Sequence, residues 1–239
     1  CGLINAIGIE NIGVDAFVSD KLPFLRTFDT PIIVNFFGSR EEEYVRMARK
    51  LNLDGVSAIE MNVSCPNISK GGLEFGKSPE VLRNLVFQVR KATDKPLIVK
   101  LTPLVNDIGE VAMAAQDGGA DAVTCSNTIP AMAIDENTWR PVLGNTTGGL
   151  SGPAIKPVAL KNVWEVAKRV SIPIIASGGA VSGQDVIQFL LAGASAVEIG
   201  SASLRDPLCF RSIIEGVELY LRDHRLSSVY DVIGKLKTS

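Results

Sequence analysis

The chain has a single histidine among its 239 residues. His224 lies in the polar stretch Leu221-Arg222-Asp223-His224-Arg225-Leu226, where it reads as a solvated helix residue. One histidine in that setting excludes a histidine-based triad. Cysteine is also scarce. Cys1, Cys65, Cys125 and Cys209 are far apart and form no CxxC pair, which excludes a local zinc or iron–sulfur signature. Reduced thiols in a cytoplasm are the expectation. Neither charge dominates: 24 Lys and Arg stand against 26 Asp and Glu, a net charge of −2. No basic surface for nucleic acid is therefore expected. No apolar run reaches membrane-spanning length, and no signal peptide is visible. No dinucleotide fingerprint sits on a first βαβ unit. The chain begins at Cys1 without Met, as a fragment would.

With 46% hydrophobic residues the chain can bury one large core, and a single domain over 1–239 is expected. The stretch that organises it is 58–67, Ala-Ile-Glu-Met-Asn-Val-Ser-Cys-Pro-Asn. Ile59, Met61 and Val63 alternate with Glu60, Asn62 and Ser64, which is strand periodicity. Pro66 cannot continue a ladder, so the strand stops there. Asn62, Cys65 and Asn67 thus stand at or just past one strand's C-terminal end. Amides in that place can grip a flat polar ring, and a thiol can move a proton. Taken alone, Cys-Pro-Asn fits a buried structural cysteine beside a turn better than a catalytic one, and only the rest of the chain tips the reading the other way.

The rest of the chain repeats one pattern. Strands are expected at 31–38, 58–65, 96–103, 122–128, 173–179 and 196–201. Helices are expected near 14–24, from the Ser39-Arg40-Glu41-Glu42 capping box to about 52, and at 78–93, 108–117, 156–169, 183–192 and 208–223. Loops are expected at 1–13, at Gly71-Gly72 and over 129–153. Strict β-then-α alternation calls for a parallel sheet, either doubly wound or a (β/α)8 TIM barrel. The barrel is favoured because Asn35, Asn62, Cys65, Lys100, Asn127, Gly178-Gly179 and Gly200-Ser201 recur at strand C-terminal ends, which a barrel gathers around one mouth. Gly-rich turns on the last two strands match a barrel's phosphate site after its seventh and eighth strands. Only six strands are counted, so two are expected to be missing ahead of residue 1, about 60 residues at roughly 30 per βα unit.

Several motifs together resemble class 1 dihydroorotate dehydrogenases. They are Asn5-Ala6-Ile7-Gly8-Ile9-Glu10-Asn11-Ile12-Gly13-Val14-Asp15, Asn62-Val63-Ser64-Cys65-Pro66-Asn67, Val99-Lys100-Leu101-Thr102-Pro103, Ser126-Asn127-Thr128, and Gly148-Gly149-Leu150-Ser151-Gly152-Pro153-Ala154-Ile155-Lys156-Pro157. The resemblance runs from residue 1 to about 216. Gly71-Gly72-Leu73-Glu74-Phe75-Gly76 looks most like class 1B. In that class a catalytic FMN subunit pairs with a subunit carrying FAD and a [2Fe–2S] cluster, and electrons end on NAD+.

The resemblance implies FMN-dependent oxidation of dihydroorotate to orotate in a cytoplasmic enzyme, a homodimer of the catalytic chain. It implies that Cys65 is the base. Asn35, Asn62, Lys100, Ser126, Gly152, Gly178, Gly179, Gly200 and Ser201 would hold FMN. Asn5, Ala6, Ile7, Gly8, Ile9, Asn62, Asn67, Asn127 and Thr128 would hold the substrate. The residues agree with this chemistry in one respect: Lys100 is a cation ending an apolar strand, suited to the electron-rich side of a reduced flavin, and its apolar flanks weaken the reading as a surface lysine. The family's early strands supply a further FMN-contacting segment and a Lys-Gly pair, which this sequence lacks. Two rivals remain. One is an FMN barrel of the dihydropyrimidine dehydrogenase kind, acting on uracil or thymine. The other is a non-catalytic barrel that binds a phosphorylated metabolite.

Overall fold

The computed structural model of the chain describes residues 1–8, 10–64 and 72–238. They divide into two compact units, one of Ile7–Leu101 and Glu110–Val123, the other of Cys1–Ala6, Thr102–Gly109 and Thr124–Ser239. Six strands, Ile33–Phe36, Ala58–Asn62, Leu97–Lys100, Ala122–Cys125, Ile174–Ser177 and Ala196–Glu198, follow one another in chain order in one sheet. The pairings of the first with the second, the second with the third, and the fifth with the sixth are parallel. Each strand is shorter than its sequence pattern. The residues trimmed from their C-terminal ends, such as Ser126, Asn127, Gly178 and Gly179, leave the ladder and form the loops beyond it.

In the first unit the helix Glu41–Leu51 buries Tyr44, Ala48 and Leu51. The helix Pro79–Arg90 buries Leu82, Leu85, Val86 and Val89, and the two helices pack on each other. The i, i+3, i+4, i+7 spacing makes that apolar stripe. Ile59, Met61, Leu97 and Val99 are fully buried on alternate positions of their strands. Burying each such Leu, Val, Ile or Met contributes roughly 1.5–3 kcal/mol. The capping box differs from the one expected. Arg40 is the N-cap and makes no side-chain cap, and Glu43, not Glu42, reaches back to accept the N–H of Ser39 at 2.7 Å. With Arg40 at the N-cap, Glu43 is the third helical residue, the position from which a carboxylate reaches the preceding backbone.

In the second unit the helix Lys156–Ala167 packs against the Ile174–Ser177 strand and against the helix Gly183–Ala192. The latter also packs on Cys209–Asp223. A Cβ on Gly183 would lie 2.5 Å from the backbone carbon of Gly216, so the two helices touch backbone to backbone there. Ile187, Leu190 and Val232 close a small core behind them. His224 ends the last helix, exposed and stacked on Tyr220 at 3.9 Å.

Four segments depart from the sequence expectation. Leu3–Asn5, read as loop, is a strand pairing antiparallel with Gly148–Ser151, which pairs in turn with Ile129–Ala131. Ile134–Asp135 and Arg140–Pro141 form a further hairpin inside the stretch read as a long loop. These strands are too short to show alternation, and the first finds its partner across most of the chain. Gly72 opens the helix Gly72–Lys77 instead of continuing a loop. Ser201, read as the end of a strand, opens the short helix Ser201–Arg205.

Asp185 ties the second unit together. Its carboxylate accepts from Lys156, from the N–H of Val181 at 3.0 Å and from the Ser182 hydroxyl at 2.9 Å, while Ser182 caps the helix by accepting the N–H of Asp185. Burial opposes the charge, yet the Lys156 bond and the two local donors outweigh it and hold the carboxyl below the usual range. A depressed carboxyl contributes stability that is complete above its unfolded pKa, about 3.9, and is lost as pH falls through the folded value. Asp185→Asn is expected to lower the unfolding free energy by about 1–3 kcal/mol at pH 7. Urea denaturation at pH 7 and at pH 3.5 checks this; the gap between variant and wild type should narrow in acid.

Candidate functional site

The parallel register of the first unit sets Asn35 beside Glu60 and Asn62 beside Lys100. Paired residues in a parallel ladder point to the same side, and so do residues two apart along a strand. Asn35, Glu60, Asn62 and Lys100 therefore share one face of the sheet, opposite the face carrying Ile59, Met61 and Val99. The Asn35 amide donates to Oε2 of Glu60, and Nζ of Lys100 lies 3.6 Å from the same oxygen. The Glu60 side chain is 6% exposed and that of Lys100 16%. Asn62 turns its Oδ1 to the Ser64 N–H at 3.1 Å and to the Ser64 hydroxyl at 2.7 Å, which sets the orientation of its amide. Tyr44, wedged edge-on between Phe36 and Phe75, donates its hydroxyl to the Asn62 carbonyl at 2.9 Å. Glu60 is the residue of this face that sequence reasoning passed over. Its signal was present: a carboxylate in an apolar strand, in phase with Asn62.

The second unit gathers two groups. The first surrounds the short antiparallel sheet. Asn5 and Pro130 flank Gly149 in the register, and a Cβ on Gly149 would lie 2.4 Å from Thr128 Oγ1. Asn127 Oδ1 accepts the N–H of Thr128 at 2.8 Å. Asn5, Asn127 and Thr128, far apart in sequence, thus lie along one small sheet. Ala6 belongs to this unit, whereas Ile7, exposed, and Gly8 belong to the first.

The second group is a cradle of backbone. Gly152 and Gly179 both have positive φ, 81° and 84°, and a Cβ on Gly179 would lie 2.5 Å from the Gly152 carbonyl oxygen. Only glycine permits that approach. A Cβ on Gly152 would lie 3.5 Å from Ser201 Oγ, and Gly200 beside it has open space around its Cβ position. Gly178 completes the turn, and the Ser126 N–H donates to Ser177 at 3.0 Å. Cys65, Asn67 and Ile9 lie outside the described residues. Of the described cysteines, Cys125 is fully buried, and burial, aided by the Glu165 carboxylate, pushes its thiol up, so it stays protonated and inert. No helix among the described residues is long and apolar enough to cross a membrane.

The family model for dihydroorotate dehydrogenase matches residues 1–221. The catalytic subunit of dihydroorotate dehydrogenase B (NAD(+)) from Citrifermentans bemidjiense is 51% identical over 237 residues, covering 99% of this chain and 78% of the relative. The same-named subunit of Geotalea uraniireducens is 50% identical over 238 residues, with the same coverage. That of Geobacter sulfurreducens is 51% identical over 237 residues, again covering 99% of this chain and 78% of its own. Among solved structures, DHODH from Eimeria tenella in complex with ferulenol has a TM-score of 0.81 at 23% identity, covering 98% of this chain and 71% of that one. That likeness, with the parallel six-stranded sheet, establishes a fold of the (β/α)8-barrel class.

The cradle yields a stability contrast. Gly179→Ala places a side chain in left-handed backbone and against a carbonyl, and should cost roughly 1–3 kcal/mol. Gly200→Ala meets nothing within 4 Å at φ −102° and should stay within about 0.5 kcal/mol of wild type. Thermal unfolding of the two variants checks the difference.

Proposed function

The chain belongs to the dihydroorotate dehydrogenase family, and we propose that it oxidises dihydroorotate to orotate in pyrimidine biosynthesis with FMN as its flavin. The likeness to the catalytic subunits named above, over almost the whole chain, carries this reading. The residues present suit a flavin. The cradle at Gly152 and Gly179 offers close-packed backbone with open space at Gly200, and Lys100 places a cation on the polar sheet face.

In this proposal residues 1–239 form one flavin-binding barrel domain. Asn35, Asn62 and Lys100 hold the ring, Ser126 also contacts the flavin, and Gly152, Gly178, Gly179, Gly200 and Ser201 take its phosphate. Backbone N–H groups suit that anion because they need no side-chain room. Asn5, Ala6, Ile7, Gly8 and Ile9, with Asn62, Asn67, Asn127 and Thr128, hold the pyrimidine ring and its carboxylate through amide donors and acceptors. Cys65 removes the proton from C5, its thiolate becoming a thiol as the C5–C6 double bond forms. The chemistry that FMN would supply when bound is that of an acceptor for the hydride leaving C6. Holding the ring in place and excluding water are the protein's remaining tasks.

The relatives' shared name includes "catalytic subunit" and "NAD(+)". That wording fits a chain that works with a second subunit, and we propose in addition that the chain is a cytoplasmic homodimer whose partner carries FAD and a [2Fe–2S] cluster and passes electrons to NAD+.

Stopped-flow measurement of flavin bleaching on mixing with dihydroorotate tests the role of Cys65. Cys65→Ala should keep flavin and orotate binding but slow bleaching by roughly 10²–10⁴-fold. Bleaching as fast as wild type would assign the base to another residue. Because a free thiol titrates near 8.5, the wild-type rate should rise toward alkaline pH. Orotate should bind far better than uracil; equal binding would point to a dihydropyrimidine dehydrogenase type of enzyme. The purified chain alone should reduce artificial acceptors well and NAD+ poorly, and rapid NAD+ reduction would remove the need for a partner subunit.

A further inference from the structure

Glu60 is 4% exposed, in mid-strand, with fully buried Ile59 and Met61 on either side of it in sequence. Burying a carboxylate costs several kcal/mol unless good partners offset it. Oε2 of the carboxylate meets the Asn35 amide and, at 3.6 Å, the Lys100 ammonium. A charge-assisted hydrogen bond of this kind would be about 2.7–2.9 Å long. Lys100 is therefore ion-paired to Glu60 without being drawn into full contact.

We propose that Glu60 is a positioning residue for the reaction: it anchors the Lys100 ammonium on the polar face of the sheet and partly cancels its charge, so setting how strongly that cation favours the reduced flavin. This rests on the flavin reading above. Two features support it. Lysine is a point charge on a flexible four-carbon stem, so an ammonium meant for one place needs a fixed neighbour. Glu60 is fixed twice over, by its strand and by Asn35. Moreover, a cation and a carboxylate a few ångströms apart present a ligand with a dipole, whose field is weaker than that of the cation alone. Asn35, held by Glu60, is then part of the same device, with its remaining amide hydrogen and Oδ1 for other partners.

The test is the midpoint potential of the bound flavin, read from its absorbance against a reference dye. Glu60→Gln keeps the shape and the Asn35 bond but removes the charge. It should shift the oxidised-to-reduced equilibrium about tenfold toward reduced, which is about 30 mV for a two-electron couple. Glu60→Asp keeps the charge one methylene further back and should shift it the same way by a smaller factor, which keeps the test available if Glu60→Gln folds poorly. Lys100→Met should shift the equilibrium toward oxidised. In that background Glu60→Gln should have little further effect, because a buried carboxylate without its cation takes up a proton. A merely structural Glu60 would change melting temperature and leave the potential in place. Bound flavin with wild-type potential in Glu60→Gln and Glu60→Asp would overturn this proposal and leave the functional reading standing. Wild-type protein that takes up no flavin would overturn both.

Discussion

A carboxylate buried in an apolar strand has to be answered by other groups, and much of the first unit's polar face follows from that requirement. Parallel pairing places Asn35 level with Glu60, and Lys100 one pleat further on. Asparagine supplies a donor that adds no charge, while lysine supplies the compensating charge. Neither partner would be stable alone there. An unpaired buried lysine or glutamate gives up its charge, and an unmatched amide loses its water without replacement. The cluster is thus interdependent, and its cost explains why so few polar residues share the strands with Ile59, Met61, Leu97 and Val99.

The second unit solves a different problem by a different route. Its cradle is built on close approach of glycine backbone. Gly152 and Gly179 meet backbone to backbone, and the helices behind them meet the same way at Gly183 and Gly216. The Lys156–Asp185 pair and the Ser182 cap hold the turn after Ile174–Ser177 to the helices on both sides. A surface built of backbone is insensitive to rotamers, whereas the face carrying Asn35, Asn62 and Lys100 is directional and charged.

Membership of the dihydroorotate dehydrogenase family rests on nearly the whole length of the chain. The rival of a non-catalytic phosphate-binding barrel accounts for the cradle. It leaves the buried Glu60–Lys100 pair with a structural role only.

The sequence by itself determined the family resemblance and the six parallel-sheet strands with the long helices between them. Alternation in 58–63, the apolar runs at 31–34 and 97–99, the helical stripe of Leu82, Leu85, Val86 and Val89, and the glycine turns are all written within a few consecutive residues. Periodicity and backbone freedom act at that range. For the same reason the motifs that carry the family resemblance were legible, Val99-Lys100-Leu101-Thr102-Pro103 and Ser126-Asn127-Thr128 among them. Tertiary structure decided what depends on residues meeting across long stretches of chain. The pairing of Leu3–Asn5 with Gly148–Ser151 joins segments about 145 residues apart, and no local pattern announces it. Asn35 and Glu60 are 25 residues apart, and nothing local to either announces the other. Only register makes them neighbours. The contact of Gly152 with Gly179 likewise exists only once the helix Lys156–Ala167 has packed back on its strand. Such contacts follow from loop closure and packing, which a short window of sequence does not encode.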